Sequence, residues 1–406
     1  MFRTTSAGLV LCGLILGMPA VTSAQDARAL HDRIITFDAE MDIPFEFMEG
    51  ANDVGQETGM QIDLPKMDRG GLDGALFVNW VLQGRRTPSA YAKARANAEK
   101  KFAAIENMVQ TYPGRIRLAR TADDAEKLVA EGRHFAVMGM VNAWPLGPDL
   151  TWLPELYDRG LRNITFNHAG HNQFADSSRP RAPLNDKPQE HVGLSQLGRS
   201  LVMMMNDLGI IVDVSQVSPQ TLFQTAELSR APIIASHSGV KNIIDTARNL
   251  TDTEMLAIKD SGGAVGIVAF SSYLRPTRPE QGAAFGAILG EFGTTNLAEI
   301  TANFSAEKVE KFKTVFAAYE KEFPRATVAQ YVDSIAYAVD LLGINHVMIS
   351  SDMEHGGGVT GWIDAGESPG VTEELVSRGY MEDQIAKLWW GNFARVWRAV
   401  ETAAAN

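Results

Sequence analysis

Apolar residues recur along this chain in two alternating rhythms. Short runs rich in Val, Ile and Phe lie at RIITFD (33–38), GALFVNWV (74–81), HFAVMGMV (134–141), RNITFNH (162–168), GIIVDVSQ (209–216), APIIASHS (231–238), GGAVGIVAF (262–270) and HVMISSDM (346–353). Most are apolar on both faces, as strands of a parallel sheet covered by helices are. Between them, helical spacing runs over 88–111, 121–131, 194–208, 218–229 and 251–261. Ser218 ahead of Pro219, and Thr251 or Thr253 ahead of EMLAIKD, are helix starts, and DSGG (260–263) is a stop.

Eight strands alternating with helices predict an α/β chain folded as a (β/α)8 TIM barrel rather than a doubly wound sheet. No Gly-x-Gly-x-x-Gly follows the first strand, so the usual support for a dinucleotide fold is missing. Residues 271–325 interrupt the alternation as a long insertion, a lid or an oligomer contact, within a single domain spanning 25–406.

Composition narrows this picture. The chain has 406 residues, a formal charge of −12, 45% hydrophobic residues and one cysteine. An acidic balance without a basic stripe argues against a nucleic-acid partner. The first residues, MFRTTSAGLVLCGLILGMPAVTSA, carry Arg3, an apolar stretch from Ala7 to Met18 and small residues up to Ala24. That is the pattern of a signal peptide over 1–24, cleaved after Ala24, and it predicts an exported, periplasmic or secreted protein. The stretch is shorter than the roughly 20 residues a membrane span needs, and no later segment is apolar enough to span. Cleavage would remove Cys12, leaving neither disulfide nor thiolate. A short polar spacer, Gln25 to Ala29, then leads into the fold.

The first run ends in IITFDAEMDIP, with Asp38, Glu40 and Asp42 at every second position. Alternate side chains of a strand share a face, so the three carboxylates stand in a row and need a positive partner. The other strand ends also carry polar groups: Asn142 beside Val141, Asn167 and His168, Asp213 and Gln216, His237 between Ser236 and Ser238, and Asp352. Barrel enzymes build their sites at these ends. Each residue alone has an ordinary explanation as a helix cap or a hydrogen-bonded structural group. A convergent set does not, since burying such groups unpartnered costs about 2 kcal/mol or more each.

Several stretches resemble the membrane dipeptidase (renal dipeptidase) family of zinc hydrolases. They are DIPFEF (42–47), DLPKMDRGGLDGALF (63–77), RNITFNHAGHNQFADS (162–177), GLSQLGRSLVMMMNDLGIIVDVSQ through IIDTARNLTD (193–252), ISSDMEHGGG (349–358) and GNFARVW (391–397). The resemblance implies a (β/α)8 barrel, a homodimer, and hydrolysis of a dipeptide by water activated on a pair of zinc ions. It assigns proton transfer to Asp352 and substrate binding to His168 and Arg248.

The metal positions depart from the family. Its His-x-Asp motif becomes Glu40 with Asp42 kept. The carboxylate bridging both ions becomes Val141, and of two histidine ligands the first is Gln216 and only His237 remains. Valine cannot hold two cations about 3.5 Å apart. What is left, Glu40, Asp42, Asp352 and Gln216 with His237 as the one nitrogen, suits a single divalent ion: zinc by resemblance, or Mn, Mg or Ca given the oxygen-rich set. Such an ion, Arg248 or a substrate amine would answer the acidic row. Asp38 reads as structural, and His171 and His355 as loop residues at the rim. The leading function is an exported metal-dependent hydrolase of dipeptides or similar small amides. The alternatives are metal-independent chemistry with Glu40 as acid or base, and a non-catalytic binding protein.

Overall fold

A computed structural model describes residues 24–294 and 305–405. The leader expected over 1–24, with Cys12, lies outside them except for Ala24. Ten strands follow in chain order: β1 (Phe37–Asp42), β2 (Gly74–Trp80), β3 (Ile116–Leu118), β4 (His134–Val141), β5 (Leu161–Thr165), β6 (Ile211–Asp213), β7 (Ile234–Val240), β8 (Asn249–Leu250), β9 (Ala264–Val268) and β10 (Val347–Ser350). Eight of them pair in parallel in the order β1-β2-β4-β5-β6-β7-β9-β10, with β3 beside β4 and β8 beside β7. A parallel bridge between Met41 and Met353 brings the two ends together. Helices cover the outside, giving the predicted (β/α)8 barrel.

The eight apolar runs all become barrel strands, and the two short outer strands were not anticipated. The helix expected over 88–111 is Pro88–Thr111, with the Thr87 side chain accepting from the Ala90 N–H. Of the two threonines offered as a start, Thr251 caps Asp252–Asp260, and Glu254 completes a reciprocal capping box. One boundary moves. The first strand, expected over 33–38, runs over Phe37–Asp42, through the carboxylates rather than stopping at them. Thr36 is held outside by Asp73, which accepts from its N–H at 2.8 Å.

The expected spacer Gln25–Ala29 is instead part of a helix, Ala24–His31, that buries Ala27, Leu30 and His31. His31 Nε2 faces the Gly70 carbonyl at 2.9 Å and so carries the proton. Its Nδ1 then accepts from the Thr372 hydroxyl at 2.6 Å, and the Trp389 indole donates to that same oxygen at 2.9 Å. This chain of bonds ties the N-terminal helix to Pro369–Ser377. The insertion forms three described helices, Ser271–Leu274, Pro279–Glu291 and Ala306–Glu322, and an aromatic cluster that includes Phe285, Phe292, Phe312 and Phe316 joins the last two. No helix of the described residues is long and apolar enough to cross a membrane.

Burial pushes the His31 pKa from 6.5 down to about 4, against the pull of the Gly70 carbonyl. The unfolded chain therefore binds a proton here that the folded chain refuses between those two pH values. Its contribution is complete above pH 6.5 and is lost as pH falls toward 4, amounting to about 3 kcal/mol. Asp38 and Glu354, each raised by burial to about 7, titrate with the opposite sign. The observable is therefore the difference in unfolding free energy between wild type and His31→Gln, from urea melts. That difference is expected to shrink by up to about 3 kcal/mol from pH 6.5 to 4, and a difference flat in pH would exclude His31 as the titrating group.

Candidate active site

The mouth is shaped where strands stop obeying simple alternation. Between Asp38 and Met41, three steps of β1 face two of β2, a bulge that contains Glu40. Between Ala235 and Ser238, three steps of β7 likewise face two of β9, a bulge that contains His237. Bulges re-aim side chains and recur next to active sites. The expected single row of carboxylates is thus broken at Glu40 by an extra residue, and each acid meets a different environment.

Asp38 is fully buried. Its Oδ1 accepts from the Ser351 N–H at 2.9 Å and the Glu40 N–H at 3.2 Å, which fastens β1 to the chain leaving β10. Its expected structural role fits this placement. Glu40 lies one step higher, 2% exposed. The Asp352 N–H donates to the Glu40 carbonyl at 3.2 Å, so barrel closure itself brings the two side chains together. Burial drives the Glu40 carboxyl well above the usual carboxylate range, and Asp352 and Asp42 add to the push. Burial also raises Asp352, opposed chiefly by His355. Each acid acts on the other, and in so dry a site like charges this close favour a proton on one of them.

Asp42 is held differently. Its Oδ1 takes the Ile43 N–H at 2.7 Å and the Lys101 ammonium at 3.3 Å, and its Oδ2 takes His355 Nδ1 at 2.8 Å. Burial alone would raise its pKa, but Lys101 and His355 overcome it and the carboxylate stays ionised. The same bond, working against burial, raises His355 above its ordinary value. Lys101 is itself buried, at 2% exposure, beneath the rings of Phe45 and Trp80.

His237 spends both ring nitrogens. Arg179 donates to Gln216 Oε1 at 2.5 Å, which fixes the amide so that Nε2 points at His237 Nε2, 2.9 Å away. His237 Nδ1 meets the Ser236 hydroxyl at 2.7 Å. Burial, then Arg248 and His355, hold this imidazole well below its ordinary pKa, so it stays neutral. Val141 stands level with Trp80 in the β2–β4 register and turns an apolar wall to the same space.

That space is a cavity of about 300 Å³ lined by Glu40, Asp352, His168, Arg248, Arg179 and Trp80, among others. Phe285 and Leu289 of the insertion close part of it. Several lining atoms are buried without a hydrogen-bond partner among the described residues: Glu40 Oε2, Trp80 Nε1, Arg179 Nε and Arg248 Nη1. Orphaned buried groups are costly, so three donors and one carboxyl oxygen around one cavity mark a place built to receive a polar ligand. Burial and the nearby Arg179 keep His168 neutral, packed edge-on against Trp80. Asn142, Gln216 and Asp352 have φ of 73°, 68° and 58°. This left-handed backbone is uncommon outside glycine and recurs at functional sites.

The expected site residues Glu40, Asp352, His168, Arg248, His237 and Gln216 all border the cavity, whereas Asp42 lies behind it among Lys101 and His355. His355, read as a rim residue, borders the cavity and bonds Asp42, because the turn after Asp352 folds inward. His171 is no rim residue either. It is 1% exposed, accepting from the Ser177 N–H at 3.0 Å and bonded to the Lys187 carbonyl. Asp213 stays structural, accepting from Ser215, Ser236 and Thr165. Lys101, Arg179 and Trp80 escaped the sequence reading. Lys101 did leave a trace: within Pro88–Thr111 the buried positions run Ala94, Ala98, Lys101, Phe102, Ile105, Met108, so a lysine occupies an apolar stripe.

The donor set expected for one divalent ion, Glu40, Asp42, His237 and Gln216, does not fit one. Asp42 is paired with an ammonium, the imidazole of His237 is capped by the Gln216 amide, and Val141 offers no electrons. Among the described residues no three His, Cys, Asp or Glu side chains are placed to hold an ion.

Comparison with known proteins agrees with the fold. The family model for membrane dipeptidase, peptidase family M19, matches residues 24–406. The solved structure of the probable dipeptidase PvdM from Pseudomonas aeruginosa superimposes with a TM-score of 0.83 at 40% identity, covering 94% of this chain and 99% of that one. A metallo peptidase from Rhodobacter sphaeroides, bound to a phosphinate mimic of the dipeptide L-Ala-D-Ala, superimposes at 0.69 with 24% identity, covering 90% and 99%. Dipeptidase tcpJ from Claviceps purpurea is 25% identical over 354 residues, 85% of this chain and 70% of its own.

Asn142 anchors the mouth. Its amide donates to the Val81 carbonyl at 3.1 Å, and its oxygen accepts from the Trp144 N–H at 3.3 Å and the Asn172 amide at 3.1 Å. Asn142→Ala orphans these groups and puts a residue with no side-chain polar group at positive φ. The expected loss is about 2–4 kcal/mol in chemical denaturation, and a loss under about 0.5 kcal/mol would show that the loop re-forms its bonds.

Proposed function

The chain belongs to the membrane dipeptidase family, peptidase family M19, and on that footing we propose that it hydrolyses small dipeptide-like amides carrying a free carboxylate, with Glu40 and Asp352 handling the proton. The observation that carries this reading is the set of orphaned polar atoms facing one small cavity. Arg248 Nη1 and Arg179 Nε are free to clasp a carboxylate, and guanidinium geometry suits that group. A neutral His168 can donate to the scissile carbonyl. The neighbouring carboxyl pair supplies one ionised and one protonated member, as paired acids in a dry site do.

In this scheme the ionised carboxyl takes a proton from water as the water oxygen attacks the carbonyl carbon. The carbon–nitrogen bond then breaks, and that proton passes to the departing amine. Trp80, Phe285 and Leu289 exclude bulk water, which strengthens each polar contact inside. The finer expectation of a zinc, manganese, magnesium or calcium ion has no part in it, for the donors do not fit one. Export is also part of the proposal, supported by the signal-like pattern of residues 1–24. The intact mass of the chain recovered from the periplasm or medium should begin at Gln25, and a mass retaining the leader would remove export.

A panel of dipeptides, followed by chromatographic release of free amino acids, tests the reaction. Asp352→Asn is expected to lower kcat/KM at least about 100-fold with KM little changed. Arg248→Ala should raise KM about 10-fold or more, because it removes uniform binding. Dipeptide binding in calorimetry with no turnover by the wild type would convert the reading to a binding protein.

A further inference from the structure

We propose that Lys101 is the resident cation of this mouth, its ammonium occupying the electrostatic place beside Asp42 that a divalent metal would otherwise take. The inference stands on placement and does not depend on which substrate is cleaved. Lys101 Nζ lies 3.3 Å from Asp42 Oδ1, with side-chain exposures of 2% and 5% for the two residues. Phe45 and Trp80 face the ammonium at 5.0 and 5.8 Å from their ring centres, so little water reaches the pair. The other Asp42 oxygen is taken by His355 at 2.8 Å. A metal at Asp42 would meet an ammonium in poorly screened surroundings, where repulsion between like charges is strong.

Two further donor positions are closed in a matching way, while Glu40 keeps a free Oε2 on the cavity. Gln216 donates its amide to the ring nitrogen of His237 that would face an ion, and Arg179 holds that amide in place. Val141 supplies hydrocarbon where two ions would need a bridging carboxylate. The lysine lies on the buried stripe of Pro88–Thr111, whose Ala98 carbonyl is itself bound to Asn79 of β2 at 2.8 Å, so the ammonium is delivered by a fixed element. A mobile side chain would leave Asp42 open part of the time; this one is 2% exposed.

The test is metal binding by the full mature chain. Wild type purified without chelator should carry no stoichiometric zinc or manganese by elemental analysis, and EDTA should leave its melting temperature unchanged. Calorimetric titration with zinc chloride or manganese chloride should show Lys101→Met binding at least 10-fold more tightly than wild type, and Lys101→Arg, which keeps the charge, behaving as wild type does. If Lys101→Met does not fold, the double variant Lys101→Met/Asp42→Asn, which removes both charges, should. Stoichiometric metal in the wild type, equal affinities in wild type and Lys101→Met, or a double variant no more stable than the single one would each overturn the proposal.

Discussion

A carboxylate taken out of water must meet a positive charge, a hydrogen-bond donor or a proton, and β1 buries three of them between Asp38 and Asp42. Each is met in a different currency. Asp38 receives backbone N–H groups, and one of these comes from Ser351, so neutralising the acid also closes the barrel. Glu40 is buried beside Asp352, and their mutual repulsion favours a proton on one of the two. Asp42 receives an ammonium and an imidazole and stays ionised. Had all three been met by one metal ion, the pair at Glu40 and Asp352 would not need its proton.

The residues at the positions where the resemblance implies metal donors therefore form a matched set. Val141 offers hydrocarbon where the resemblance implies a bridging carboxylate. Gln216 places an N–H where a histidine would have offered a lone pair, and His237 turns that same lone pair to accept it. Lys101 provides the charge that Asp42 still requires. Any one change alone would leave a buried group unpaired, which is the costly case. Around the cavity they leave orphaned atoms on Glu40, Trp80, Arg179 and Arg248, where a ligand can reach them.

Strain is spent at the same rim. Asn142, Gln216 and Asp352 follow different strands and all take left-handed backbone. Glu40 and His237 sit in bulges on opposite sides of the mouth. A regular (β/α)8 barrel would point these side chains along the strand alternation. The irregular positions are what turn them toward a common space, and the surrounding apolar core, with Trp362, Trp389 and Trp397 fully buried, is large enough to hold them so.

The barrel was legible in the chain because its causes are local. Apolar runs on both faces, helical spacing and caps such as Thr87 and Thr251 act over a few residues and survive being read singly. The residues at the strand ends were legible for the same reason, and so His168, His237 and Asp352 were found bordering the cavity, whereas Arg248 came from the family resemblance. Sequence by itself determined the architecture and the crowd of acids, and its family resemblance implied that three metal donors had changed. Which charge answers Asp42 was decided only in three dimensions. Lys101 lies 59 residues away on a helix face whose angle to β1 no local pattern specifies. Arg179 and His355 reach the mouth from loops whose path depends on contacts across the barrel. Short-range chemistry sets which elements form; the pairing of buried charges depends on distances that exist only after those elements have packed.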